Sequence, residues 1–186
     1  MERSPATEPL VRHFTATGFL SHDGRTALHW HRLGKWLPPG GHLEENEDPV
    51  QTVLREIEEE TGIPARVIET ATAYDHGDRG RVAPPVSIGV YAVPRDGRWP
   101  ASHHHIDFIY FARPVQRRPR PTLPAGDVPW LWVSETKLRS EKPLVAAGRR
   151  APIEEDVRLL GLAAIAAERA DRERAAASHR AGAGVA

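Results

Sequence analysis

The stretch that most constrains this chain runs from Gly41 to Ile63, GHLEENEDPVQTVLREIEEETGI. It predicts a helix from about Asp48 to Thr61, stopped by Gly62 and, just beyond it, Pro64. At 100° per residue, with Glu56 set to 0°, Glu60 falls near 40° and Glu59 near −60°, so three carboxylates share an arc of about 100°. Val50, Val53, Leu54 and Ile57 occupy roughly 60° to 160°, an apolar stripe suited to a core. Glu58 points near 200°, away from the other acids and toward solvent.

Three crowded carboxylates repel one another when ionised. A hard divalent cation offsets that repulsion, and Mg²⁺, which prefers oxygen ligands and is often shared with substrate phosphates, suits it best; Mn²⁺ is the natural substitute. Charge along the chain agrees. The whole sequence balances 25 basic against 25 acidic residues, yet residues 44–60 hold eight of the acids and one base, Arg55. That leaves 17 acids against 24 bases elsewhere, a basic remainder fit to receive an anionic substrate. The overall balance argues against general nucleic-acid affinity. With no cysteine, thiolate catalysis, zinc–thiolate sites and disulfides are excluded. No apolar run approaches a membrane span, and the opening MERSPATEPL lacks a secretory core, so a soluble cytoplasmic protein is the expectation.

The Gly41–Ile63 stretch also fits G-x5-E-x7-R-E-U-x-E-E-x-G-U, U being a bulky aliphatic residue. The matching positions are Gly41, Glu47, Arg55, Glu56, Ile57, Glu59, Glu60, Gly62 and Ile63. In this it resembles the Nudix hydrolases. The resemblance implies an α/β/α sandwich with a central mixed β-sheet, over about residues 10–174, and a homodimer is compatible with it. It implies Mg²⁺-dependent hydrolysis of a diphosphate linkage in a nucleotide. A nucleoside triphosphate giving monophosphate and pyrophosphate is the preferred substrate; sugar nucleotides, ADP-ribose-like compounds and dinucleoside polyphosphates are alternatives. A noncatalytic nucleotide sensor is the rival from another class, and would be expected to have lost a motif carboxylate. By the same resemblance Glu56, Glu59, Glu60 and the Gly40 carbonyl are metal ligands, and Glu59 or Glu60 helps activate water. Glu47 and Arg55 pair to brace loop against helix.

Outside the motif, alternation predicts strands near 11–20, 25–31, 65–74, 86–93, 104–112 and 128–133, with a turn at His22-Asp23-Gly24. Residues 37–49 read as a Pro-Gly loop in which Gly40 and Gly41 let the backbone turn tightly and approach a ligand. A second long helix is expected from Pro152, with Ile153, Val157, Leu160 and Ala164 facing the sheet. Residues 1–9 and 175–186 read as flexible ends.

Four further residues are candidates for substrate contact. Lys35 suits a phosphate. Trp36 would either stack on a base or wedge the loop against the core. His105 and Asp107 share a strand face with His103 and either face a cleft or order a strand end. Zinc at these histidines is disfavoured because the acidic triad already accounts for a cation. His29 and His31 read as exposed sheet surface, and Arg117, Arg118 and Arg120 as a solvated basic loop.

Overall fold

In a computed structural model, residues 11–70, 80–95, 102–116, 119 and 130–183 are described. β1 (Arg12–His22) and β2 (Arg25–His31) form the expected hairpin. Its turn places Asp23 at φ 48° and Gly24 at φ 72°, the left-handed pair that a two-residue connection requires. β3 (Lys35–Leu37) folds back on β2. The segment after it is not all loop. Gly40–His42 forms β4, antiparallel to β1, with Thr15 opposite His42, Ala16 opposite Gly41 and Thr17 opposite Gly40.

Helix α1 (Pro49–Thr61) follows. Asp48 caps it by accepting from the Val50 and Gln51 amides, while the Gln51 side chain accepts from the Asp48 amide. This reciprocal box, with proline in the first turn, explains why the helix begins where it does. Gly62, at φ 70°, ends it and donates to the Glu58 carbonyl. The remaining elements are β5 (Ala65–Val67), β6 (Ser87–Val93), β7 (His103–Pro114), β8 (Leu131–Ser134), α2 (Glu135–Arg139), β9 (Leu144–Ala146), β10 (Arg149–Ala151) and α3 (Glu155–Ala183).

The main sheet runs β3-β2-β1-β7-β5, with β4 on β1, β6 on β7 and β8 on β2. β1 and β7 are parallel from Arg12 opposite His104 to Leu20 opposite Ala112, and the other pairings are antiparallel. Both central strands are covered on two faces. Ala16, Leu20, Tyr110 and Ala112 pack with Val53 and Ile57 of α1. Phe19, Ile109 and Phe111 pack with Val157, Ala164 and Ile165 of α3. The result is the α/β/α sandwich with a mixed central sheet.

Several boundaries differ from the sequence reading. β5 ends at Val67, and residues 71–74 of the longer expected strand lie outside the described residues, as do Arg117, Arg118 and Arg120. α3 starts at Glu155, not Pro152, because Ala151 is still paired with Leu144 in the β9–β10 hairpin. Its far end continues through Ala183, past the point near 175 where a disordered tail was expected. The alanine-rich composition there favours helix, and no proline interrupts it.

Close packing of α1 on β1 depends on Gly18. A Cβ at that position would lie 2.6 Å from Ile57 Cδ1 and 2.7 Å from Val53 Cγ2. Gly18→Ala is therefore expected to lower stability by about 1–3 kcal/mol through overpacking, measured by denaturant unfolding. A variant as stable as the wild type would show that the helix can move off the sheet without cost.

Candidate active site

The acidic face of α1 meets the sheet at β4. The Gly40 amide donates to Glu60 Oε2 at 3.2 Å. Gly41 faces Glu56 so closely that an added Cβ would sit 2.2 Å from Glu56 Oε1. Both glycines lie in a strand and neither has positive φ, so the expected tight turn is replaced by close approach of backbone to carboxylate.

Arg55 organises the same region. Its Nε and Nη2 reach the two Glu47 carboxylate oxygens at 2.7 and 2.9 Å, and Nη2 also donates to the His42 carbonyl at 3.2 Å. Nη1 donates to Glu56 at 2.8 Å and Glu59 at 3.1 Å. The three acids consequently differ. The Glu56 side chain is 16% exposed and Glu59 61%; Glu60 is half-buried and Glu58 exposed.

Burial pushes the Glu60 carboxyl up to about 7; the Gly40 amide opposes this, and the charges of Glu56 and Glu59 add to the rise. Burial also raises Glu56, against the pull of Arg55. Such a set fits a hard dication: all its side-chain donors are oxygen, and its ionised form is electrostatically unfavourable without a counter-charge. Among the described residues, no three His, Asp or Glu side chains already stand as a ready metal cage. Arg55 engages two of the three carboxylates.

On the other side of β4 lies a cleft of about 690 Å³, bounded by Thr15, Thr17, Lys35, His42, Tyr91, His105, Asp107 and the start of α3, among others. Gly40 and Gly41 border it too, so β4 is a wall shared by the cleft and the acidic helix. Asp107 is buried and accepts a 2.8 Å hydrogen bond from the Thr15 hydroxyl; burial raises its carboxyl, and Thr15 and Thr17 oppose the rise.

A family model described as NUDIX domain matches residues 12–156. The chain belongs to the Nudix family. It is 40% identical over 80 residues to a MutT-like protein of Streptomyces ambofaciens, covering 42% of this chain and 52% of that one. It is 45% identical over 51 residues to an 8-oxo-dGTP diphosphatase of Proteus vulgaris, covering 26% and 46%. The matched stretches thus span about half the length of these relatives. A solved Nudix-family hydrolase from Clostridium perfringens aligns with TM-score 0.58 at 25% identity, over 84% of this chain and 97% of that chain.

Within this Nudix domain the sequence candidates separate. Lys35, His105 and Asp107 line the cleft, Lys35 with its ammonium 3.6 Å from Glu154. Trp36 does not: it is fully buried, edge-on to Trp30, so it wedges the core and offers no stacking surface to a substrate. His29 is not exposed sheet surface either. It is buried and stacked on Trp130 at 4.2 Å, and burial together with the charge of His31 lowers it to about 4. Thr15, Thr17 and Tyr91 went unmarked in the sequence; the alternation of β1 was the available signal for the two threonines. Among the described residues, no helix is long and apolar enough to cross a membrane.

The Arg55 pairing holds Glu47 down to about 2, well below its ordinary 4.5. A depressed carboxyl stabilises the fold above its ordinary pKa and loses that contribution as pH falls through the depressed value. Glu47→Gln is expected to cost about 1 kcal/mol at pH 7, since solvent still screens the part-exposed pair. The gap between variant and wild type should close between about pH 4.5 and 2 in urea melts. A gap that stays constant with pH would contradict the pairing as its source.

Proposed function

We propose that this Nudix domain is a Mg²⁺-dependent pyrophosphohydrolase, with Mn²⁺ as a substitute, that cleaves nucleoside triphosphates to monophosphate and pyrophosphate. The observation that carries the reading is the junction at β4, where Glu56 and Glu60 lie against one side of a two-glycine wall and the cleft opens on the other. A substrate seated in the cleft would extend its phosphates past β4 to that acidic face. Resemblance over part of the chain to a protein named 8-oxo-dGTP diphosphatase supports the triphosphate class.

Glu56, Glu59 and Glu60, with the Gly40 carbonyl, would hold the metal. When bound, a divalent ion polarises phosphoryl oxygens and stabilises the leaving pyrophosphate. The chain supplies the rest. Arg55 fixes the direction of Glu56 and Glu59. Glu60, held by the Gly40 amide at the cleft wall, is the better placed of Glu59 and Glu60 to accept the proton of the attacking water at a carboxylate oxygen. Lys35 meets a phosphate, and His105 and Asp107 contact the substrate from β7.

The test is a panel of nucleoside triphosphates, sugar nucleotides and dinucleoside polyphosphates assayed with Mg²⁺ and with Mn²⁺, products identified by mass. Monophosphate plus pyrophosphate from a triphosphate is expected. Glu60→Gln should lower kcat by about 10²-fold or more, whereas Glu58→Gln, on the exposed side of α1, should retain activity within about twofold. Nucleotide binding without turnover, equal in wild type and Glu60→Gln, would make this a sensor instead.

A further inference from the structure

None of the described tryptophans borders the cleft, so no indole offers a surface on which a nucleobase could stack. Among the described residues, the rings that do border it are Phe19, Tyr91 and four histidines. Each of those imidazoles is engaged with another ring. His29 is stacked on Trp130 and edge-on to His31. His42 and His105 are edge-on to each other, in a cluster completed by His13 and His103. Phe19 is 2% exposed, whereas Tyr91 is 37% exposed.

Gly89 explains how the Tyr91 ring is held. The two residues lie two apart on β6 and so share a face of the sheet. A Cβ on Gly89 would stand 2.5 Å from Tyr91 Cε2, 2.8 Å from Cζ and 2.9 Å from the hydroxyl oxygen. The outer edge of the ring therefore fills the space that a side chain at position 89 would take. A ring already leaning on its own strand has less freedom to lose when a ligand meets it. Burial raises the Tyr91 hydroxyl, and the carboxylates of Asp156 and Asp107 add to the rise, so the ring stays un-ionised at neutral pH.

Strand register sets the distance from this ring to the acidic helix. His42 of β4 is opposite Thr15 of β1, Thr15 is beside Asp107 of β7, and Asp107 is opposite Gly89 of β6. These four residues form one row across the sheet, and its three inter-strand steps amount to about 14 Å. At one end β4 adjoins Glu56 and Glu60; at the other, the Tyr91 ring rests on Gly89. That span is comparable with the reach of an extended nucleotide from its phosphates to its base. We propose that Tyr91, seated on Gly89, is the surface on which the base of the substrate stacks, an assignment that rests on the nucleotide substrate proposed above. Base–aromatic stacking tolerates any base, so this contact sets affinity for a base as such and leaves the choice among bases to polar neighbours.

The test uses a fluorescent aminopurine riboside triphosphate whose emission is quenched when its base stacks, with a methylene bridge between the α and β phosphorus atoms to prevent cleavage. Binding to the full chain with Mg²⁺ should quench the probe. Tyr91→Leu should abolish the quenching and weaken binding about tenfold or more, while Tyr91→Phe, which keeps the ring, should stay within about twofold of wild type. Gly89→Ala, which displaces the ring but leaves it in the chain, should shift both readouts in the direction of Tyr91→Leu. Inorganic tripolyphosphate carries no base, so its affinity in competition should be the same in wild type and Tyr91→Leu. An unquenched probe in wild type, unchanged quenching in Tyr91→Leu, or equal loss of tripolyphosphate affinity in that variant would each overturn the assignment, even where nucleoside triphosphates are hydrolysed. Quenching that depends on Tyr91 in a chain that hydrolyses none of them would support the stacking surface and overturn the hydrolase reading alone.

Discussion

One guanidinium holds the acidic end of this domain together. Arg55 spans the carboxylate of Glu47, the carbonyl of His42 and the carboxylates of Glu56 and Glu59, so a single side chain ties the loop before α1 to β4 and to the acidic face of the helix. A lysine would supply the charge without the planar fork that lets one group meet so many acceptors. Without that cation, Glu47, Glu56 and Glu59 would face one another across a part-buried surface. The placement of Glu56 and Glu59 thus rests on one base inside an otherwise acidic stretch, while the Gly40 amide holds Glu60.

β4 is the other half of that arrangement. Three residues long, it is held edge-on to β1 and has no bulk at Gly40 or Gly41. Its amide at Gly40 meets Glu60, its missing Cβ at Gly41 makes room for Glu56, and His42 turns to the cleft. Side chains of very different character, carboxylates and an imidazole, are separated by the thickness of one strand.

The helix was legible because its determinants are local: Asp48, Pro49 and Gln51 start it, Gly62 stops it, and periodicity separates Val53 and Ile57 from the glutamates. The hairpin at Asp23-Gly24 was legible for the same reason. What escaped depends on partners distant in the chain. Trp36 was ambiguous because only Trp30 and the surrounding core decide whether an indole is buried. Gly40 and Gly41 suggested a turn because sequence shows the missing Cβ but not the strand and carboxylate that need the space. His13 and His42 carried no signal alone; parallel pairing of β1 with β7 and antiparallel pairing of β4 with β1, which sequence does not register, bring them to His103 and His105.

The central strand β1 divides its labour by parity. Its even positions Ala16, Gly18 and Leu20 face α1, where volume is critical, while Thr15 and Thr17 look into the cleft. Exchanging Thr17 would change the lining of the cleft without touching the packing of α1, whereas Thr15 also carries the buried bond to Asp107. Inserting one residue would swap the two sets and damage both at once. The lining of the cleft and the seat of α1 are therefore separable along this strand: point substitution can alter the first while the second stays fixed, and a change of length spares neither.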